Sequence, residues 1–318
     1  MKIRSFLKLV EIQTKVASVV PFIVGTLYTI YHYKTFKVVN FLIMLVSLLC
    51  IDMATTAINN YQDYRKAIKK YGYGYESHNA IVRDKLSERS VRITIFALLT
   101  IATAFGLLLF LNTNVIVLLI GMLSFLVGIT YSYGPVPISR TPFGEVFSGF
   151  TMGFFITFLA IYIHIFDNEL ITLALKESML GIQMNLQELV YIALLTVPAI
   201  IGIADIMLAN NICDIEDDIV NNRYTLPIYI GKDKSLKIFE VSYYFAFLAI
   251  IILILLKIIP YTCILSLLAF LIVRKNVEAF KKVQTKKDTF VFSVKNFIII
   301  NGSLAVTLLV GIAVRSIV

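Results

Sequence analysis

Charged residues are scarce in this chain. Lys, Arg, Asp and Glu together make up 15% of its 318 residues, while 58% are hydrophobic and the mean hydropathy is +0.84. Soluble domains carry about 25% charge and about 45–50% apolar residues, so a water-soluble globular class is excluded and an integral membrane protein is indicated. Cysteine is also sparse. Cys50, Cys213 and Cys263 lie in or beside apolar runs at no metal-ligand spacing, which argues against a disulfide framework and for small buried hydrophobes. Of three histidines only His78 falls in a polar loop, where it is a candidate general base. No Pro/Gly/Ser linker or low-complexity segment divides the chain, so 1–318 reads as one domain. No small-residue cleavage pattern closes the first apolar run. Residues 1–13, with Lys2, Arg4 and Lys8 among Ile3, Phe6, Leu7 and Leu9, read as an interfacial amphipathic helix ahead of a retained anchor.

Long apolar runs are what the sequence has in abundance. About nine can be drawn, near 14–33, 38–58, 91–111, 115–133, 144–166, 189–209, 236–256, 258–273 and 296–317, against the ~20 residues a helix needs to span a bilayer. The eighth is short, and Pro260 separates it from the seventh; Pro198 is expected to kink the sixth. The expected fold is an all-α membrane bundle of about nine helices around a polar cavity. The net charge of +9 follows topology and does not point to nucleic acid. With the N-terminus in the cytoplasm, 24 of the 29 basic residues fall inside, and only Lys34, Lys37, Lys176, Lys257 and Arg315 fall outside. That asymmetry predicts a multi-pass protein of the cytoplasmic membrane, with its cavity and its long polar loops, 60–90 and 211–235, facing the cytoplasm. The mildly acidic outer loop 167–188 is expected to hold a short surface helix.

One polar pattern occurs twice, each time at the end of a very apolar run: Asn59-Asn60-Tyr61-Gln62-Asp63 and Asn210-Asn211-Ile212-Cys213-Asp214. An Asp at membrane depth costs roughly 2.5–3.5 kcal/mol on insertion scales, so such groups are seldom kept without a use. Residues three and four apart share a helix face, which predicts Asn210, Asp214 and Asp218 in one row and Asn59 and Asn60 with Asp63 in another. Oxygen donors without His or Cys suit Mg²⁺, which takes one or two carboxylates and completes its shell with water and phosphate. Two such faces opposite each other would hold divalent cations and the anion they carry. The isolated alternative for each row is a solvated helix end. Asp52, two turns deeper than Asp63, reads as a hydrogen-bonded structural acid or a substrate contact. Arg65, Lys66, Lys69 and Lys70 either anchor topology or neutralise diphosphate. A Gly/Pro-rich turn from Tyr131 to Glu145 carries Arg140, a residue suited to bidentate phosphate contact. The tyrosines around 61–75 and 131–133 fit an interfacial belt or an aromatic pocket.

These residues resemble the UbiA superfamily of membrane aromatic prenyltransferases, whose members pair Asn-Asp-x-x-Asp on the second helix with Asp-x-x-x-Asp on the sixth and have nine transmembrane helices. Within it, Gly134-Pro135-Val136-Pro137 through Gly144-Glu145, and Asn210 through Asp218 to Thr225-Leu226 and Gly231, look most like the 1,4-dihydroxy-2-naphthoate polyprenyltransferases of menaquinone synthesis. The chain departs from the pattern where Asn60 replaces the usual first Asp and Ala67 replaces a further Asp of some branches. The resemblance implies Mg²⁺-dependent transfer of a polyprenyl group from its diphosphate to the naphthoate, with release of diphosphate and CO₂, giving demethylmenaquinone. It implies Asp63, Asp214, Asp218 and Arg140 as catalytic residues. Substrate contacts would come from Asn59, Asn60, Lys66, Asn79, Arg83, Tyr131, Asn210 and Asn211, and metal ligands from Asn59, Asn60, Asp63, Asn210, Asp214 and Asp218. The expected partners are polyprenyl diphosphate, the aromatic acceptor and membrane lipid. Other acceptors (4-hydroxybenzoate, homogentisate, haem) keep the same chemistry. An ion-coupled transporter is the reading from another class, disfavoured because its site would lie near the midplane between broken helices.

Overall fold

The structure is a computed structural model that describes residues 1–66, 79–168, 170–176 and 179–317. Eight of its helices are long and apolar enough to cross a membrane, so the chain is a multi-pass, mostly helical membrane protein. They are α2 (Val16–His32), α3 (Val38–Lys66), α5 (Glu88–Leu111), α6 (Val115–Ser132), α7 (Gly144–Ile165), α8 (Leu186–Cys213), α11 (Lys232–Leu255) and α13 (Val291–Ile317). Shorter helices are α1 (Ile3–Leu9), α4 (Ala80–Arg83), α9 (Ile215–Val220), α10 (Leu226–Ile230) and α12 (Ala269–Lys282). The expected eighth span, 258–273, is a composite. After Pro260 the chain runs as a 3₁₀-helix over Tyr261–Leu268 and only then becomes α12. A 3₁₀-helix rises about 2.0 Å per residue against 1.5 Å for an α-helix, so a short apolar run reaches farther than its length suggests.

The segment expected to hold a surface helix, 167–188, is instead a hairpin among its described residues: β1 (Ile171–Lys176) pairs antiparallel with β2 (Met179–Met184), Ile171 opposite Met184. Ile171, Leu173 and Leu175 alternate with Thr172 and Ala174 at a strand's period of two.

The chain forms two compact units, one of Met1–Val19 with Leu42–Ser139, the other of Val20–Phe41 with Arg140–Val318. The first unit buries Leu9, Val10, Ala54, Ala57, Tyr61, Ile81, Val91, Leu98 and Ala102 together. Its polar core is an ion pair: Lys15 Nζ reaches Asp52 Oδ1 at 2.5 Å and Thr56 Oγ1 at 2.7 Å, while Ser18 donates to Asp52 Oδ2. Asp52 is thus a paired structural acid.

In the second unit α8 is the hub. Pro198 leaves the 28-residue helix unbroken, and its carbonyl accepts from Asn301 Nδ2 of α13. Gly149 and Gly153 bring α7 onto α8 so closely that a Cβ at either would lie 2.7 Å or less from the backbone of Ile200. Over Gly149–Phe155, α7 is wound as a π-helix, a distortion frequent at functional sites. This contact sets the start of α7 against the far end of α8, where the second motif lies.

Candidate active site

The first motif is wholly helical, because α3 runs on to Lys66 instead of ending near residue 58. Asn59 and Asp63, four apart, share a face. Asn59 is exposed and its Oδ1 accepts from Ser132 Oγ at 3.0 Å. Asn60 turns the other way and is buried. Its Nδ2 donates to the Leu9 carbonyl at 2.9 Å and to Glu11 Oε1 at 3.1 Å, and its own carbonyl accepts from Asn79 Nδ2. The one-residue step of 100° around the helix separates the two asparagines. Asp63 and Tyr131 are half-buried, and Lys66 closes α3. Asn79 caps α4 by accepting from the Ile81 N–H. Arg83 is paired with its neighbour Asp84 at 2.7 Å, and that guanidinium, with help from Ser5, holds the Asp84 carboxyl down at about 2. The loop residues Ala67, Lys69, Lys70, Tyr71, Tyr73, Tyr75, Glu76 and His78 lie outside the described residues.

At the second motif the single expected helix is broken. Asp214 ends α8 with φ −104° and ψ 9°, and Asp218 belongs to α9. The i to i+4 connections survive the break: the Asp214 N–H donates to the Asn210 carbonyl at 3.2 Å and the Asp218 N–H to the Asp214 carbonyl at 2.7 Å. The row Asn210–Asp214–Asp218 therefore persists across two helices. Asp214 is ion-paired with Lys286, which precedes α13. Asp218, 3% exposed, faces Arg223 at 3.4 Å and accepts from Thr225 Oγ1 at 3.3 Å. Burial pushes its carboxyl above the usual range; Arg223 draws it back and nearby Asp214 adds to the rise.

Asn211 is buried, and its Nδ2 donates to Glu145 Oε1 at 2.8 Å. Glu145 Oε2 and Asn211 Oδ1 are buried without a hydrogen-bond partner among the described residues. The loop bearing Arg140 is tied to the same end of the unit, since the Tyr224 N–H donates to the Arg140 carbonyl at 3.2 Å. Glu145, Arg223, Thr225 and Lys286 were absent from the expected site. The Gly144-Glu145 pair and the cations of the polar segments were visible in sequence, but their partners are set by tertiary contacts.

The donor set tests well for a hard cation. Asn210, Asp214 and Asp218 offer only oxygen atoms, two buried oxygens nearby are unpartnered, and the acids already face cations. Among the described residues no three His, Cys, Asp or Glu side chains are grouped as a ready-made metal cluster. An all-protein cage is foreign to Mg²⁺, which keeps several waters and leans on substrate phosphate.

A profile of the UbiA prenyltransferase family matches residues 18–301. The 1,4-dihydroxy-2-naphthoate octaprenyltransferase of Bacillus subtilis (strain 168) is 30% identical over 241 residues, covering 75% of this chain and 70% of that protein. In fold, the chain is similar to the apo structure of a UbiA homolog from Aeropyrum pernix K1, with a TM-score of 0.70 at 19% identity over 92% of this chain and 98% of that one. It is also similar to a UbiA homolog from Archaeoglobus fulgidus bound to GPP and Mg²⁺, with a TM-score of 0.66 at 13% identity over 97% and 99%. The chain belongs to the UbiA prenyltransferase family.

Proposed function

We propose that this protein transfers a polyprenyl group from polyprenyl diphosphate to 1,4-dihydroxy-2-naphthoate, in the cytoplasmic membrane and from its cytoplasmic face. The observation that supports this reading most is the 30% identity to the octaprenyltransferase of Bacillus subtilis across 75% of the chain. The oxygen-rich, cation-lined end of α8 adds a chemical reason.

A prenyl diphosphate joins a multiply charged head to an apolar tail, so it needs cations at a membrane boundary. Mg²⁺ would be held by Asn210, Asp214 and Asp218 at the end of α8; at the end of α3 Asp63 and Asn59 would be the ligands, whereas Asn60, buried against Leu9 and Glu11, is not one. When bound, Mg²⁺ supplies electrostatic stabilisation of charge developing on the leaving diphosphate. Arg140, Arg223 and Lys286 would contact phosphate oxygens, Arg as a planar fork and Lys as a point charge; the Lys66 side chain lies outside what the structure describes. Arg83 and Tyr131 would line the acceptor's approach, while Asn79, buried and committed to Ile81 and Asn60, holds α4 against α3. The allylic C–O bond breaks with its electron pair on oxygen, and the electron-rich ring attacks the allylic carbon at its carboxylate-bearing position. Loss of CO₂ returns the C–C electrons to the ring. The product leaves as demethylmenaquinol, whose two-electron oxidation gives demethylmenaquinone. No covalent nucleophile on the protein is required.

Purified protein is incubated with a polyprenyl diphosphate and a panel of aromatic acceptors, with Mg²⁺ or EDTA, and the products are read by mass spectrometry. An EDTA-sensitive, decarboxylated prenyl-naphthalene product is expected. Product from another ring alone would overturn the acceptor; no product from any ring would overturn the reading.

A further inference from the structure

At the other end of the second unit, α2 and α13 finish side by side and leave a shallow groove of roughly 430 Å³, counting space open to the surroundings. Its lining is Ile30, Tyr31, Lys34, Ile312, Arg315 and Ser316. No acid lines it, and among the described residues no carboxylate is paired with Lys34 or Arg315. Among the described residues, the acids close to α2 in this unit are already engaged: Glu188 by His32 and Tyr33, Asp167 by Lys37. We propose that this groove is a binding site for one anionic phospholipid, with the phosphate held between Lys34 and Arg315 and an acyl chain laid along Ile30 and Ile312.

Three features carry this assignment. The charge asymmetry of the sequence leaves only five basic residues on the outer side, and two of them, distant in sequence, line one groove. A cation at each helix C-terminus also answers the helix dipole, which accounts for each residue singly but not for their convergence without an acid. Arg315 is pre-positioned: its Nη1 donates to the Tyr31 carbonyl at 3.0 Å, and its guanidinium lies 5.3 Å from the centre of the Tyr31 ring. That leaves the remaining N–H donors of a rigid fork for phosphate oxygens. Lys34 sits just beyond α2 in a left-handed conformation, φ 55°, that turns the chain out of the helix. The order along each helix matches a lipid. Ile312 lies one turn before Arg315 on α13, and Ile30 lies within α2 while Lys34 lies beyond its end at His32, so on both sides the apolar residue precedes the cation along the helix direction. Basic pockets between membrane helices are a known setting for anionic head groups.

The test uses full-length protein reconstituted in vesicles of equal parts phosphatidylglycerol and phosphatidylcholine, extracted in mild detergent, with bound lipids counted by native mass spectrometry. Wild type is expected to retain one more phosphatidylglycerol than the Lys34→Gln/Arg315→Gln double variant, with phosphatidylcholine retention equal in both. Each single variant should lie between, and added inorganic phosphate should not strip the lipid. Equal phosphatidylglycerol counts in wild type and double variant would overturn the proposal. So would retention of phosphatidylcholine as firm as that of phosphatidylglycerol. If the double variant fails to extract as a single species, Lys34→Gln alone, at an exposed side chain, carries the same comparison.

Discussion

The first Asn-Asn-x-x-Asp segment has both asparagines engaged by the protein: Ser132 occupies Asn59, and the Leu9 carbonyl and Glu11 occupy Asn60. The second has an extra acid one turn on, two cations facing its carboxylates, and two buried oxygens still without partners. One pattern thus joins α3 to the N-terminal segment in the first unit and gathers acids, cations and unpartnered oxygens in the second. What separates them is the surplus of acid. Asp214 and Asp218 cannot be satisfied by amides and carbonyls alone, so the fold brings Lys286 and Arg223 to them; in the proposed reaction those cations would turn to phosphate once Mg²⁺ held the acids.

The contrast is broken most strongly at the second segment. Asp214→Ala and Asp218→Ala are each expected to lower prenyl-transfer turnover by about 10²–10³-fold or more, the scale of losing one group that stabilises developing charge, while the protein still extracts folded. Turnover near wild type in both would remove these acids from the site.

Restoring the usual acid in the first segment should have a different result. Asn60→Asp would put a carboxylate against Glu11 and the Leu9 carbonyl and leave both without their donor. A loss of about 2–3 kcal/mol of stability is expected, read as a lower unfolding midpoint, with partial recovery on adding Glu11→Gln. Unchanged stability together with tighter Mg²⁺ dependence would make Asn60 a true stand-in for Asp.

Glu145 sharpens the comparison within the second unit. Glu145→Gln keeps an acceptor for Asn211 Nδ2 and adds a donor for the unpartnered Asn211 Oδ1, so stability and turnover should hold. Glu145→Ala strands the buried amide and should cost about 1–3 kcal/mol. A Gln variant that is folded but inactive would show that the carboxylate itself takes part in the chemistry.

The smallest effect concerns the joint around the first segment. Asp84 has a carboxyl held down at about 2 by Arg83 and Ser5, against an ordinary value of 3.8. A depressed carboxylate contributes stability above its unfolded value and loses it as pH falls through the folded one. Protection of the α1 and α4 amides, taken relative to intrinsic exchange at each pH, should therefore hold down to about pH 4 and fall between roughly pH 4 and 2. Protection already lost near neutral pH would contradict this.

The spans were legible because hydropathy reports burial in lipid directly: eight expected runs match helices to within a few residues at most ends. The exceptions are informative. α3 and α8 run past residues 58 and 209, since their polar motifs remain helical, and hydropathy does not register a helix that leaves the apolar layer. The break at Asp214 has no Gly or Pro to announce it. The hairpin at 171–184 is announced only by a short period-two alternation. The Lys15–Asp52 pair and the Glu145–Asn211 pair join residues 37 and 66 positions apart, which a single sequence cannot register. Site chemistry was legible as residue type; the partners that tune it were not.

The most direct measurement is equilibrium binding of geranyl diphosphate to purified wild type, Asp214→Asn and Asp63→Asn, each with Mg²⁺ or EDTA. The account predicts Mg²⁺-dependent binding to wild type that EDTA abolishes, a loss at Asp214→Asn as severe as EDTA, and a milder loss at Asp63→Asn. Binding that ignores EDTA and survives Asp214→Asn would contradict it.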